Sequence, residues 1–134
     1  MSMFGLMFIS GILSSMSVWA DKLSDVRISL NDVYMALLMS MWMVFLMAAL
    51  ARDYKTGLVG LVGVLLVFFL IRGQVFITPR QYALGMIPHH SMAVLMSKRV
   101  LERPVEPRLQ ALATSIIQSQ EEEIDVLKML ARGI

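Results

Sequence analysis

Two adjacent histidines, His89 and His90, are the only imidazoles in this 134-residue chain. They sit in the string Gly85–Met96, GMIPHHSMAVLM, with Met86 before them and Met92 and Met96 after. Soft thioethers beside imidazoles suit a soft transition metal, copper(I) above all, far better than magnesium or calcium. The same residues have a plainer use, since a histidine pair in an apolar helix can simply pack and hydrogen-bond. Cysteine is absent, which excludes disulfides, thiolate zinc sites and iron–sulfur clusters. No Ser-His-Asp set, phosphate-cradling glycine loop or His-Glu-x-x-His motif occurs. The residues three before the histidines are Met86 and Ile87, not the glutamates of di-iron helices. The expectation is a binding protein and not an enzyme.

The element that must position the histidines is a helical hairpin. Thr78-Pro79 reads as a helix start, with threonine as N-cap and proline at the first helical position. This helix is expected to run to about Glu102. Pro104 and Pro107 then break the chain, and a second helix should run from about Pro107 to Ala131, with Gly133 past its end. Pro88 leaves the carbonyl of Leu84 without its usual partner and should kink the first helix just before the histidines.

At about 100° per residue, Tyr82, Met86, His89, His90, Ala93, Ser97 and Val100 share one side of the first helix. Both histidines are therefore expected to point into the hairpin. The apolar stripe of the second helix is Leu109, Leu112, Ala113, Ile116, Leu127 and Leu130, with Gln120 and Glu123 inside it. Glu121, Glu122 and Asp125 fall outside. A carboxylate on a buried face is expensive unless paired, hydrogen-bonded or metal-linked. Glu123 could accept the ring N–H of a metal-bound histidine, or form a His–Glu ion pair with no metal at all.

Before about residue 77 the composition differs. The whole chain is 57% hydrophobic and 16% charged, with a mean hydropathy of +0.70. Such a balance points to a membrane protein. The net charge of +2 gives no footprint for nucleic acid. Three transmembrane helices are expected, at about 4–20, 33–51 and 56–71, forming a membrane domain over 1–77 ahead of a hairpin domain over 78–134. The first could also be a signal peptide ending near Val18-Trp19-Ala20, but the missing basic n-region favours a retained helix.

The second span carries Met35, Met39, Met43 and Met47 at four-residue intervals, part of a total of 13 methionines. That stripe is a thioether ladder or, more ordinarily, packing and lipid contact. Gly57, Gly60 and Gly63 near the start of the third span would let a neighbouring helix approach closely. None of the three spans holds an ionisable residue, which argues against a proton-coupled transporter or ion channel. Lysine and arginine counts lean slightly toward a cytoplasmic C-terminus.

Met86-Ile87-Pro88-His89-His90, followed by Ile116-Ile117-x-x-Gln120-x-x-Glu123-Ile124, resembles the domain of unknown function 305 family across most of residues 80–131. The resemblance implies a ferritin-like helical domain, copper binding and copper tolerance, and a multi-pass bacterial inner-membrane protein with an extracytoplasmic C-terminal domain. It implies Met86, His89 and His90 as copper ligands, with Gln120 and Glu123 facing them. Where the family usually carries a methionine four residues after the acid, this chain has Leu127, so Met92 or Met96 would have to replace that thioether.

The resulting expectation is an all-α protein, three transmembrane helices followed by a hairpin completed to a bundle by oligomerisation. It would sit in a lipid bilayer and hold copper, as Cu(I), for sequestration, tolerance or hand-over. The alternative is a metal-free structural or accessory subunit of a larger membrane complex.

Overall fold

Ser2, Asp53 and Thr78 each stand one residue ahead of a helix and close its first turn. Their side chains accept the backbone N–H groups of Gly5, Thr56 and Gln81 at 3.1, 3.2 and 3.2 Å. The structure, a computed structural model, describes residues 2–133; Met1 and Ile134, at the outer ends of the two expected domains, lie outside them. The described residues form five helices and no strand: α1 (Met3–Leu13), α2 (Leu30–Leu50), α3 (Tyr54–Arg72), α4 (Pro79–Val100) and α5 (Pro107–Gly133). They fall into two compact units. One holds residues up to Ser15 with Leu30–Ile77, the other Met16–Ser29 with the chain from Thr78 onward.

In the first unit, α2 and α3 have 21 and 19 residues and mean hydropathies of 2.1 and 2.2. They reach roughly 31 and 28 Å, long and apolar enough to cross a membrane. The first of the three expected spans, at about 4–20, is not there. α1 stops after 11 residues at Leu13, roughly 16 Å, half of what a bilayer core needs. The backbone N–H of Ser14 closes α1, and beyond it the Ser17 hydroxyl accepts the N–H of Arg27 while donating to its carbonyl. Hydroxyls that satisfy the backbone in this way compete with the helix. The chain continues instead as a short 3₁₀ turn, Met16–Trp19.

Of the three glycines near the start of α3, Gly60 and Gly63 sit at a close approach to α2, and Gly57 does not. A Cβ at Gly60 would lie 2.6 Å from the Phe45 nitrogen, and one at Gly63 would collide with Met41. α1 meets α2 equally closely, a Cβ at Gly11 falling 2.8 Å from the Ala36 Cα. The turn between α2 and α3 is closed by Asp53 N–H to Ala48 C=O and Arg52 N–H to Ala49 C=O. Arg52 (φ 56°) takes the left-handed position that glycine usually fills. Gln74 (φ 47°) plays the same part after α3, and the Tyr34 hydroxyl donates to the Val75 carbonyl beside it.

In the second unit α4 and α5 pair around Ile87, Val94 and Ile124, with Ile117 and Leu127 packed against them. α4 is continuous through the fully buried Pro88. Residues 16–29 form a strap across one side of this hairpin. Ser91, wholly buried in α4, accepts the Asp21 N–H at 2.7 Å and donates to Asp25 at 2.7 Å. Asp25 in turn receives Lys128 of α5 at 2.5 Å, and Asp21 receives Lys98 of α4 at 2.8 Å.

Candidate functional site

α4 presents the two histidines in different directions, because successive helical residues are about 100° apart. His90 is buried at 8% exposure, but His89 is exposed. The expectation that both point into the hairpin holds for His90 alone. Their ring centroids are 6.3 Å apart and the planes are inclined at 61°.

Each nitrogen of His90 has a partner. Nδ1 lies 3.0 Å from the Met86 carbonyl oxygen one turn back, and Nε2 lies 2.6 Å from Oε2 of Glu123. Both partners are acceptors, so the pattern is satisfied by a ring carrying both protons or by a proton shared between Nε2 and Glu123. Glu123 thus meets a ring nitrogen of His90, the contact that the sequence allowed. Glu123 sits at the rim, its side chain 56% exposed against 11% for His90. The expected stripe on α5 is rotated accordingly: Ala113 and Ile124 are buried, whereas Leu109, Leu112 and Leu130 stay exposed. Gln120 is half-buried on the same helix.

His89 has no hydrogen bond or ion pair among the described residues. Helical spacing puts it on one outward arc of α4 with Met86, Met92 and Met96. Met86 and Met92 are half-buried and Met96 is 53% exposed. The five expected ligands therefore do not surround one point. The described residues also contain no group of three or more histidines and carboxylates that could hold a metal ion.

For copper the fit is divided. His90 can offer a lone pair only if Glu123 or the Met86 carbonyl lets go of its ring. His89, with thioethers one and two turns away, has donors of the right softness and nothing to displace.

The electrostatic centre of this unit is elsewhere. Burial would raise the Asp25 carboxyl, but hydrogen bonds from Lys128 and Ser91 and the charges of Lys128 and Lys22 outweigh it and hold the carboxyl below its ordinary value. The hydrogen bond to Asp21 raises the Lys98 ammonium above its ordinary value, against a smaller opposing effect of desolvation, and Glu121 adds to the rise. Sequence reasoning missed this cluster. Its one signal was Lys128, a cation next to Leu127 on an otherwise apolar side of the last helix.

Residues 78–132 match the family model described as Domain of unknown function (DUF305). An uncharacterized protein of Acanthamoeba polyphaga mimivirus is 42% identical over 128 residues, covering 92% of this chain and 84% of the relative. No solved structure matches the chain.

Proposed function

The chain belongs to the domain of unknown function 305 family, and from that premise we propose a non-catalytic, membrane-anchored protein that holds copper for sequestration, tolerance or hand-over. The observation that carries the reading is the outward arc of α4, where His89, with no hydrogen bond to its ring nitrogens among the described residues, stands on the same side as Met86, Met92 and Met96. Imidazole and thioether donors are what copper(I) prefers. In this proposal His89 is the nitrogen ligand, and Met86 and Met92, one turn to either side of it, are the sulfur ligands, with Met96 a further turn away. His90 and Glu123 brace the helix, and His90 joins the ligand set only if Glu123 leaves Nε2. Gln120 lies on the face of α5 that carries Glu123.

Membrane anchoring rests on α2 and α3. Only 22% of the apolar window in each is buried within the protein, whereas the core helix of a water-soluble protein would hide most of such a surface. The exposed residues include Met35, Met39 and Met47, so that stripe is read as lipid contact. The proposal adopts the family's bacterial inner membrane and extracytoplasmic hairpin as its setting; the mimivirus relative adds no support for that setting.

A specific observation favours a second reading. Both nitrogens of His90 are engaged, and the hairpin leaves Tyr82, Met96, Leu109, Leu112 and Leu130 exposed on the sides that the strap does not cover. Such a surface suits a subunit of a homo-oligomer or of a larger membrane complex, with no metal bound.

Anaerobic loading of the detergent-solubilised protein with copper(I) separates the two. The copper reading expects uptake that His89→Ala abolishes with an unchanged melting temperature. His90→Ala should instead lower the melting temperature and retain uptake whenever the chain stays folded. A folded wild type that takes up no copper refutes the copper reading, and stoichiometric co-purification of other chains then supports the second.

A further inference from the structure

Where the strap, the start of α4 and the end of α5 meet, a cavity of about 290 Å³ opens on the hairpin unit. Four cationic side chains line it: Arg27 from the strap, Arg80 from α4, and Lys128 and Arg132 from α5. Among the described residues no carboxylate is in its wall. The floor is apolar, made by Leu84, Ile87 and Ala131. Ile87 is completely buried, so the floor is part of the core.

The charges are unequal in their commitments. Lys128 is neutralised by Asp25 at 2.5 Å. Arg27 spends one guanidinium nitrogen, Nη1, on the carbonyls of Ser24 and Val26 at 2.8 and 2.7 Å, which fixes the group in place without neutralising it. Arg80 and Arg132 are exposed and make no ion pair among the described residues. Three guanidinium groups thus share one concavity without a counter-charge among the described residues, and an entering anion would relieve their mutual repulsion.

We propose that this cavity binds a phosphate-bearing anion. Planar guanidinium forks match phosphate oxygens two at a time, and fixed arginines make such sites selective for oxyanions. The apolar floor would accept the carbon portion of a phosphate ester. Two sources share this chemistry, a free phosphate compound and an anionic lipid headgroup. The chain gives the headgroup an approach: Arg27 stands just before Leu30, where α2 begins, and Arg80 shortly after Arg72, where α3 ends. Basic residues flanking apolar helices are where anionic headgroups are met.

The test is isothermal titration calorimetry of the full-length protein in a neutral detergent, with inorganic phosphate and, separately, a short-chain phosphatidylglycerol. Arg80→Gln/Arg132→Gln removes the two unpaired exposed cations. Arg103→Gln/Arg108→Gln makes the same change of charge away from the cavity. At least one probe is expected to bind saturably, about tenfold more weakly to the first variant, and within about twofold of wild type to the second.

Saturation by inorganic phosphate alone assigns the site to a free anion, and by the lipid alone to a headgroup. A folded wild type that binds neither probe overturns the proposal, as does equal weakening in both variants. If the double variant does not hold its wild-type melting temperature, Arg132→Gln alone carries the same comparison.

Discussion

Asp25 is the residue on which the hairpin unit most depends, since one carboxylate receives both the Ser91 hydroxyl and the Lys128 ammonium. Its folded pKa lies below the ordinary 3.8, so its contribution to stability is complete above that pH. The contribution is lost as pH falls through the lowered value. Lys98 has the opposite sign. Its folded pKa lies above the ordinary 10.5, so its support is complete below that pH and is lost as pH rises through the folded value; exposure to solvent keeps this second effect small. Amide protection factors in residues 16–29, with the intrinsic pH dependence of exchange divided out, should therefore stay high across the neutral range, fall sharply in acid and fall only weakly in strong alkali. Asp25→Asn should abolish the acid limb and cost about 2–3 kcal/mol at pH 7, less than a fully enclosed pair because Lys128 can turn toward water. An acid limb that survives in Asp25→Asn would assign it to other carboxylates.

At the scale of elements, the contact between α2 and α3 rests on backbone proximity. Gly60→Ala would place a methyl 2.6 Å from the Phe45 nitrogen and 2.9 Å from its Cα, where only a backbone shift gives relief. We expect it to destabilise the pair by about 2–3 kcal/mol in detergent unfolding titrations. Gly57→Ala, with the new methyl 3.7 Å from the Ala48 Cβ, should leave the midpoint unchanged or raise it. Equal effects of the two substitutions would mean that helix propensity, not packing, governs the pair.

These same elements show what the amino-acid order makes legible. Thr78-Pro79 and the uncharged runs of α2 and α3 announce themselves because caps and hydropathy are local. The early end of α1 does not, because the hydroxyl that competes with a longer helix, that of Ser17, is engaged by Arg27, ten residues away. Nor does the division between His89 and His90. Adjacent residues on a helix are always splayed, and which of them is buried depends on where α5 lands. The Asp25–Lys128 pair leaves no local trace either.

For the whole molecule, the region that matches the family and the region that folds as a unit have different boundaries. The match begins at residue 78, yet the unit includes Met16–Ser29. A fragment of residues 78–132 would leave Ser91 and Lys128 without Asp25 and uncover the side of α4 that the strap protects. A hairpin so small has little core to spare. We expect this fragment to be helical but to bind a hydrophobic dye and melt without a cooperative transition, while the full chain melts cooperatively. A sharp transition in the fragment would show that the strap is dispensable.

The strap is made early and fastened late. Asp25 and Ser91 are 66 residues apart, Lys98 and Asp21 are 77, and Lys128 and Asp25 are 103. During synthesis the strap therefore leaves the ribosome long before any of these partners exist. Both apolar helices are complete before Ser91 appears, and the last tie waits for α5. Domains fold as their residues emerge, but this one cannot close until α5 has been made. A stalled or prematurely terminated chain would carry α2 and α3 intact beside an unfastened loop with Asp21 and Asp25 bare, a form that quality-control proteases can tell from the finished protein by that loop alone.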